Sequence, residues 1–418
     1  MKISFRFFIS LLIIGVLAGL VGFFLTELMH FTQHHAFDYA LNGEDVPFRL
    51  GAEQASPMRR WLVLTFCGVL VGIGWYAIHS PFAAKRGAKL VGFNVAMDNP
   101  QQGMPLFTTV FHALLQIITV GLGSPLGRES APRQMSAAFA SLWIRKIRLN
   151  DDDAKLLIAC AAGAGLAAVY NVPLAATIFI LETLVLTINT RVIFAALLTS
   201  VTATMVVRYT LGDLVQYHLL DVEVNHALLW FALSIGVVIT LIVKLFRRST
   251  ALFPFLPRND KRIIILALIM FSLIGAVAIY FPDVLGNGKA GNQLAFAGLL
   301  TWQDGLALLL MKWLVVLFAL AAGAYGGLIT PSMMLGSILA FGMALGWNHF
   351  LPLISTEAAA LIGATAFLAI SLKMPLTAIV FALELTRTSV AMILPLALAV
   401  TSAWCMEKWL FEQQKTAP

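Results

Sequence analysis

Charged residues are scarce in this 418-residue chain. Only 12% of the residues are Asp, Glu, Lys or Arg, 60% are hydrophobic, and the mean hydropathy is +0.87. Soluble domains are roughly half apolar and about a quarter charged, so the composition indicates a polytopic membrane protein. Long basic runs are absent, which argues against nucleic-acid binding. The formal net charge of +7 fits basic cytoplasmic loops instead.

Cysteine is also rare, and no chemical motif accompanies it. Cys67, Cys160 and Cys405 lie in apolar segments without CxxC or Cys/His spacing, which predicts small buried side chains. The eight histidines form no metal-binding pattern, and no Ser/His/Asp or HExxH arrangement is present. We therefore expect no cofactor and no metal. A membrane-embedded enzyme is the weakest functional alternative.

Hydrophobic runs fill most of the chain. Residues 7–29, 61–79 and 226–246 are each long enough to span a bilayer, which takes about 20 apolar residues in a helix. Three glycines in the first run predict a closely packed helix face; they are Gly15, Gly19 and Gly22. We expect an all-α, multi-pass protein of the plasma membrane, or of the inner membrane if the source is bacterial.

One polar stretch interrupts this pattern. Residues 123–134 (GSPLGRESAPRQ) place Arg128 beside Glu129 just before an apolar segment. A charged break at membrane depth is tolerated only where it is buried in protein or lines a cavity, and a carboxylate there is a functional candidate. Residues 323–332 (GAYGGLITPS) have the same design without the charges. Each stretch is typical of a loop leading into a helix N-terminus, which favours an anion. We predict that the two helix starts face each other and bind a small anion.

The two halves of the chain resemble each other. Residues 171–183 (NVPLAATIFILET) align without a gap with residues 373–385 (KMPLTAIVFALEL), and the two polar stretches align with Gly127 opposite Gly326. Repeats with interrupted helices at matching places are typical of transport proteins with a site near the membrane midplane.

The repeats are expected to be inverted. The loop at residues 212–225 is acidic and the linker at residues 247–262 is basic, so the positive-inside rule orients the first long helices of the halves oppositely. We predict one repeat over residues 1–210, a second over residues 211–418, and no appended soluble domain.

Three signatures, in order, resemble those of the CLC family of anion channels and proton-coupled anion exchangers. The family's GREGP resembles residues 127–131 (GRESA, followed by Pro132), and its GGxFxP resembles residues 326–331 (GGLITP). Its small-residue segment ending in Asn-x-Pro-Leu-Ala resembles residues 161–175. The resemblance covers nearly the whole chain. It implies an inverted repeat of tilted and re-entrant helices, and a homodimer with one pore in each subunit.

The resemblance also implies site residues. Glu129 would be the gating carboxylate, which occupies the outer anion site until a proton or an anion displaces it. The residues themselves leave an alternative, an ion pair between Glu129 and Arg128 or another base. The implied anion-binding set is Gly127, Arg128, Ser130, Leu328 and Ile329, with Phe93 and Asn94 near the pore.

Two departures leave the anion open. The family's GSGIP motif has two candidate counterparts, residues 87–91 (GAKLV) and residues 92–96 (GFNVA), of which we favour the second, with Phe93 and Asn94. No tyrosine follows Tyr325, so the central site is expected to lack both usual hydroxyls. Chloride is the expected anion, and a fluoride-exporting branch is the alternative.

A third departure concerns protons. The family's internal proton-pathway glutamate corresponds to Thr183 here, and threonine does not titrate. This favours a channel or weak proton coupling, with exchange by another route left open. We expect the neighbouring Glu182 and its counterpart Glu384 to be structural, each capping backbone or meeting a base.

Overall fold

The computed structural model describes residues 4–40, 46–81, 89–219 and 223–416. Over these residues the chain forms seventeen helices and no strand, so the all-α prediction is confirmed. The first half contains α1 (Phe5–Phe37), α2 (Phe48–Gln54), α3 (Pro57–His79), α4 (Phe93–Asp98), α5 (Leu106–Gly121), α6 (Ser130–Ile147), α7 (Asp151–Tyr170), α8 (Pro173–Phe179) and α9 (Thr190–Leu211). The second half contains α10 (His226–Ala251), α11 (Arg262–Tyr280), α12 (Lys289–Phe296), α13 (Trp302–Ala321), α14 (Ile329–Phe350), α15 (Thr356–Leu372), α16 (Pro375–Thr386) and α17 (Ile393–Thr416).

The apolar helices of this fold fall into a long and a short class. Among the described residues, 9 helices are long and apolar enough to cross a membrane, and four shorter apolar helices have 10–17 residues. The short ones, α5, α8 with the π-helical turn Ile180–Val185, α15 and α16, fall below the length of a full span. In the most apolar windows of α7 and α14, 94% and 72% of the residues are buried. These two helices therefore form the centre of the protein.

The glycines of α1 form the close-packed face that was predicted. A Cβ atom on Gly15 would lie 2.7 Å from the Thr202 side chain, and one on Gly19 would lie 2.6 Å from the Val206 side chain. A Cβ on Gly22 would meet α7 in the same way. The absence of a side chain lets α1 and α9 approach closely.

One prediction about local environment was wrong. Cys67 and Cys160 are buried, but Cys405 is exposed, because it lies on α17, where only 33% of the apolar window is buried. The charged residues 145–155 are not all exposed to solvent, since Asp153, in the first turn of α7, is buried and ion-paired with Arg191.

The repeat extends to the backbone conformation. α7 ends at Asn171 and α15 ends at Lys373, both in the left-handed region, with φ of 61° and 57°. Each is followed by a proline that opens the next helix, Pro173 in α8 and Pro375 in α16. The matched sequences therefore make the same turn in both halves.

Two glutamates join the halves by capping each other's helices. Glu182 accepts hydrogen bonds from the Leu376 amide (2.9 Å) and from the amide and hydroxyl of Thr377 (2.8 and 2.6 Å) at the start of α16. Glu384 accepts from the amides of Leu174 (3.0 Å) and Ala175 (2.7 Å) at the start of α8. The arrangement confirms the capping role that was expected of both carboxylates.

The two polar stretches also meet. Gly127 and Gly327 form an antiparallel bridge, with N–H to O distances of 2.7 and 2.9 Å. The sequence alignment places Gly127 opposite Gly326, an offset of 199, and the helices that follow start at the same offset, at Ser130 and Ile329. The bridge itself pairs Gly127 with the next residue, Gly327.

We expect the two capping glutamates to stabilise the fold. Glu182→Gln places an N–H₂ group against backbone N–H donors and removes charge-assisted hydrogen bonds, which lowers the free energy of unfolding by about 2 kcal/mol. Thermal melting of the purified protein in detergent measures the loss. Glu53→Gln is the control, because Glu53 is 55% exposed in a surface ion pair worth about 0.5 kcal/mol. Equal melting temperatures for the two variants would contradict the assignment.

Candidate functional site

The Glu129 carboxylate lies at the N-terminus of α14. Its Oε1 accepts a hydrogen bond from the Ile329 amide at 2.9 Å, and its Oε2 accepts one from the Tyr170 hydroxyl at 3.0 Å. Glu129 is 1% exposed, and it forms no ion pair with any described residue. The ion pair with Arg128, kept as the alternative, is not formed. A carboxylate therefore occupies the place that a helix start provides for an anion.

Two glycines make room for this carboxylate. A Cβ atom on Gly327 would lie 1.7 Å from Glu129 Oε1, and one on Gly127 would lie 2.2 Å from Oε2. These are the same two glycines that bridge the polar stretches. The backbone pairing and the space for the carboxylate therefore depend on the same residues.

Two hydroxyl groups that the sequence analysis did not assign to the site are found there. The Tyr170 hydroxyl, at the end of α7, lies 3.0 Å from Glu129 Oε2 and 2.7 Å from the Thr330 hydroxyl. Tyr170 directly precedes the Asn-x-Pro signature and Thr330 lies within GGLITP, so their positions carried a signal. The site therefore contains hydroxyl groups, although they do not come from the two positions, the GSGIP serine and the late tyrosine, at which the family resemblance places them.

Arg128 is buried beside the site but turns away from the carboxylate. It donates to the Val169 carbonyl at 3.2 Å and to Gln216 Oε1 at 3.4 Å. Its guanidinium carbon lies 5.4 Å from the Tyr170 ring centroid. Its charge therefore stays close to Glu129 without direct contact, and a direct role in anion binding stays a prediction.

A loop that follows α9 holds Gln216 in place. Asp213 in this loop accepts a hydrogen bond from Asn171 at 2.9 Å and forms ion pairs with Arg208 and Arg387. The hydrogen bond from Arg387, followed by that from Asn171, lowers the pKa of the Asp213 carboxyl. At neutral pH this anchor is therefore ionised, and it fixes the loop against the ends of α7, α9 and α16.

The remaining predicted residues are not all brought together. Leu328 immediately precedes α14, and the Ser130 hydroxyl accepts a hydrogen bond from Gln134 at 3.3 Å. Phe93 begins α4 and contacts Arg133 instead of Glu129. Asn94 is exposed and forms no hydrogen bond with the described residues. The other motif candidate, residues 87–91, begins outside the described residues.

Arg133 is a further site residue that the sequence did not single out. It lies in the first turn of α6, and its guanidinium carbon is 5.0 Å from the Phe93 ring centroid and 4.5 Å from that of Phe179. The signal in the sequence was a second arginine in residues 123–134, directly before an apolar segment. Its aromatic partners come from α4 and α8, which are distant in sequence.

A cluster of titratable and aromatic residues adjoins the second polar stretch. The Tyr325 hydroxyl lies 3.1 Å from His79 Nε2, and the Arg258 guanidinium carbon lies 4.0 Å from the Tyr325 ring centroid. The His112 ring packs edge-on against the same tyrosine, with centroids 4.6 Å apart. The histidines lie far apart in the sequence, so no motif revealed this cluster.

A family model described as Voltage gated chloride channel matches residues 67–408. The chain belongs to this family, the CLC family. The match spans most of the chain and includes both polar stretches and both capping glutamates.

Curated relatives of this CLC chain are bacterial exchange transporters. The H(+)/Cl(-) exchange transporter ClcA of Vibrio campbellii is 26% identical over 412 residues, which cover 96% of this chain and 86% of the relative. ClcA of Yersinia pestis is 25% identical over 417 residues, covering 95% and 84%. The protein is thus similar over nearly its full length to proteins that exchange protons for chloride.

Solved structures show the same CLC fold. A slow cyanobacterial Cl-/H+ antiporter superposes with a TM-score of 0.80 at 20% identity, covering 99% of both chains. A CLC-type fluoride/proton antiporter gives a TM-score of 0.74 at 21% identity and covers 97% of both chains. The predicted CLC-like architecture is therefore confirmed.

Thr183 occupies the π-helical turn after α8. Its hydroxyl donates to the Phe179 carbonyl at 2.6 Å. The side chain that we expect at the place of the family's proton-pathway glutamate is thus held by the backbone of its own helix, and a threonine offers no titratable group.

Gly327→Ala tests the space for the carboxylate. The new Cβ would overlap Glu129 Oε1, and a flexible carboxylate moves more readily than backbone. We expect Glu129 to leave its place and anion efflux from liposomes at neutral pH to rise. Gly342→Ala on α14 is the matched control, because nothing lies within 4 Å of its Cβ position. An unchanged efflux in Gly327→Ala with an intact fold would show that the carboxylate does not restrict flux.

Proposed function

We propose that this CLC protein transports small inorganic anions, chloride first among them, and that Glu129 is the gate. The proposal rests on the buried Glu129 carboxylate, which accepts a hydrogen bond from the Ile329 amide at the start of α14. A carboxylate oxygen there stands in for a mobile anion of the same charge. The curated relatives, which exchange chloride and protons, support chloride as the cargo.

The gate follows from elementary electrostatics. The ionised carboxylate is attracted by the α14 N-terminus and fills the site. Protonation removes the charge, so the Ile329 amide then gains more from an anion than from the neutral side chain. Peptide dipoles bind an ion without the full charge that would trap it, which suits a site that must release its cargo. Flux should therefore rise as pH falls.

We further propose that coupling to protons is weak or absent. Thr183 supplies no titratable group where CLC exchangers carry a glutamate, and its hydroxyl is bound to its own helix. The relatives named as exchangers make strict coupling the competing outcome.

Glu129→Gln tests the gate. We expect wild-type chloride efflux from liposomes to increase from pH 7.5 to pH 4.5, and the variant to lose this dependence, because glutamine carries no charge at either pH. Glu53→Gln is the control, since that carboxylate is 55% exposed in a surface ion pair with Arg49. A variant with the wild-type pH profile would remove Glu129 from the gate.

Proton movement is recorded in the same efflux experiment. With weak coupling, a chloride gradient drives little proton uptake into the liposomes relative to chloride flux. A fixed ratio of protons to chloride that persists across opposing gradients would establish strict exchange and contradict our proposal.

A fluoride-exporting function is the second candidate. Phe93 at the start of α4 replaces the family's serine, and no tyrosine follows Tyr325. Parallel efflux of chloride, fluoride and nitrate separates the two cargoes. Fluoride flux far above chloride flux, with rescue of fluoride-sensitive cells, would favour this candidate. Equal or reversed selectivity would eliminate it.

The proposed assembly is a homodimer in the plasma membrane, which for a bacterial source is the inner membrane. The short helices α8 and α16 lie side by side and leave Leu174 and Leu376 more than half exposed, which supports a partner surface there. The division into repeats at residues 1–210 and 211–418 is part of the same proposal. Among the described residues no cluster of possible metal ligands was found, and no observation favours an enzyme.

A further inference from the structure

Arg133 lies between two aromatic rings in the first turn of α6. Its guanidinium carbon is 4.5 Å from the Phe179 ring centroid and 5.0 Å from that of Phe93. Both distances are within the range of a cation–π contact. The backbone is fixed as well, because a Cβ on Gly165 of α7 would lie 2.9 Å from the Arg133 amide nitrogen. The position of this cation is therefore set by three helices.

No acceptor in the described chain meets the Arg133 guanidinium. Its Nε is buried without a partner, and Arg133 forms no hydrogen bond and no ion pair with any described residue. Every other arginine there that is partly or fully buried donates to an oxygen. These are Arg49, Arg59, Arg60, Arg128, Arg191, Arg247 and Arg258.

This arrangement is costly without a ligand. An arginine presents five N–H donors in a fixed fork. Here the side chain is half-buried, and its Nε donor is buried without a partner, which costs about 1–3 kcal/mol. The two aromatic faces attract the cation but offer Nε no oxygen acceptor. The nearest carboxylate in sequence, Glu129, is already engaged by Ile329 and Tyr170. A partner for this donor must therefore come from outside the described chain, and the positive charge favours an anion.

We propose that the Arg133 guanidinium binds the transported halide directly, at a station distinct from the Ile329 amide. This rests on the anion transport proposed above and adds a second binding group to it. The cation, clamped between Phe93 and Phe179, supplies two or more N–H donors to one small monovalent anion. The serine hydroxyl that the family places near the pore has no equivalent at Phe93, and the arginine takes over its role as donor.

The rings also explain how a full charge can serve a transport site. A bare cation at membrane depth would hold an anion too long for conduction. The negative faces of two phenyl rings offset part of the positive charge. The station thus binds more tightly than peptide dipoles alone and still releases its ion.

Halide titration by isothermal calorimetry tests this station on the full-length protein in detergent. Sodium chloride and sodium fluoride are titrated separately into wild type, Arg133→Gln and Arg60→Gln. We expect Arg133→Gln to weaken binding of the better halide by about tenfold or more, since a charged hydrogen bond is lost. Arg60→Gln is the matched control: Arg60 is buried and its Nε also lacks a partner, but its two Nη groups donate to the carbonyls of Ala52 and Ile279. Its halide affinity should stay at the wild-type value.

Gel filtration and thermal melting establish that each variant is folded. If Arg133→Gln does not fold, Arg133→Lys takes its place, because it keeps the charge but loses the fork, and it should weaken binding by a smaller factor. Unchanged halide affinity in a folded Arg133 variant would overturn this proposal alone. A wild type that neither binds nor transports halide would instead overturn the proposed function.

Discussion

The site depends on one close approach, in which the backbone of each half meets that of the other at a glycine. The Gly127–Gly327 bridge brings the start of α14 to Glu129, and the missing side chains leave the volume that the carboxylate fills. A buried carboxylate away from water needs donors, and the only ones it has in the described chain are the Ile329 amide and the Tyr170 hydroxyl. The glycine bridge, the helix start and the Glu129 carboxylate therefore form a single arrangement.

The same interaction occurs three times in this protein with different strength. Glu182, Glu384 and Glu129 each bring a carboxylate from one half to a helix start of the other. Glu182 accepts two hydrogen bonds from backbone amides and one from the Thr377 hydroxyl, and Glu384 accepts two from backbone amides. Glu129 accepts only one from an amide, and its second donor is a tyrosine hydroxyl. Charge-assisted hydrogen bonds to amides hold a carboxylate in place, so the first two are structural. The third is held by the fewest amides, which supports the displacement by an anion that we propose.

Much of the fold was readable in the sequence because its causes are local. Hydrophobic runs, the glycines of α1 and the proline that follows each of Asn171 and Lys373 predicted spans, a packed face and matching turns. The helix starts at Ser130 and Ile329 keep the offset of the sequence alignment, whereas the pairing of Gly127 with Gly327 is a contact between the two loops that an alignment does not encode. Cys405 was misplaced because an apolar helix has a lipid-facing side that composition does not reveal.

Only part of the site could be predicted from the sequence, because only some of its features depend on residues that are neighbours along the chain. Sequence alone determined that an acidic side chain interrupts a hydrophobic segment at Glu129, that a second helix start follows at Ile329, and that both belong to repeated halves, because these features depend on neighbours along the chain. Only the tertiary structure decided that Tyr170 and Thr330 provide the hydroxyls, that Arg128 turns away, and that Phe93 and Phe179 enclose Arg133. Those contacts join residues from separate helices, and their geometry is set by packing between helices, on which the local sequence carries little information.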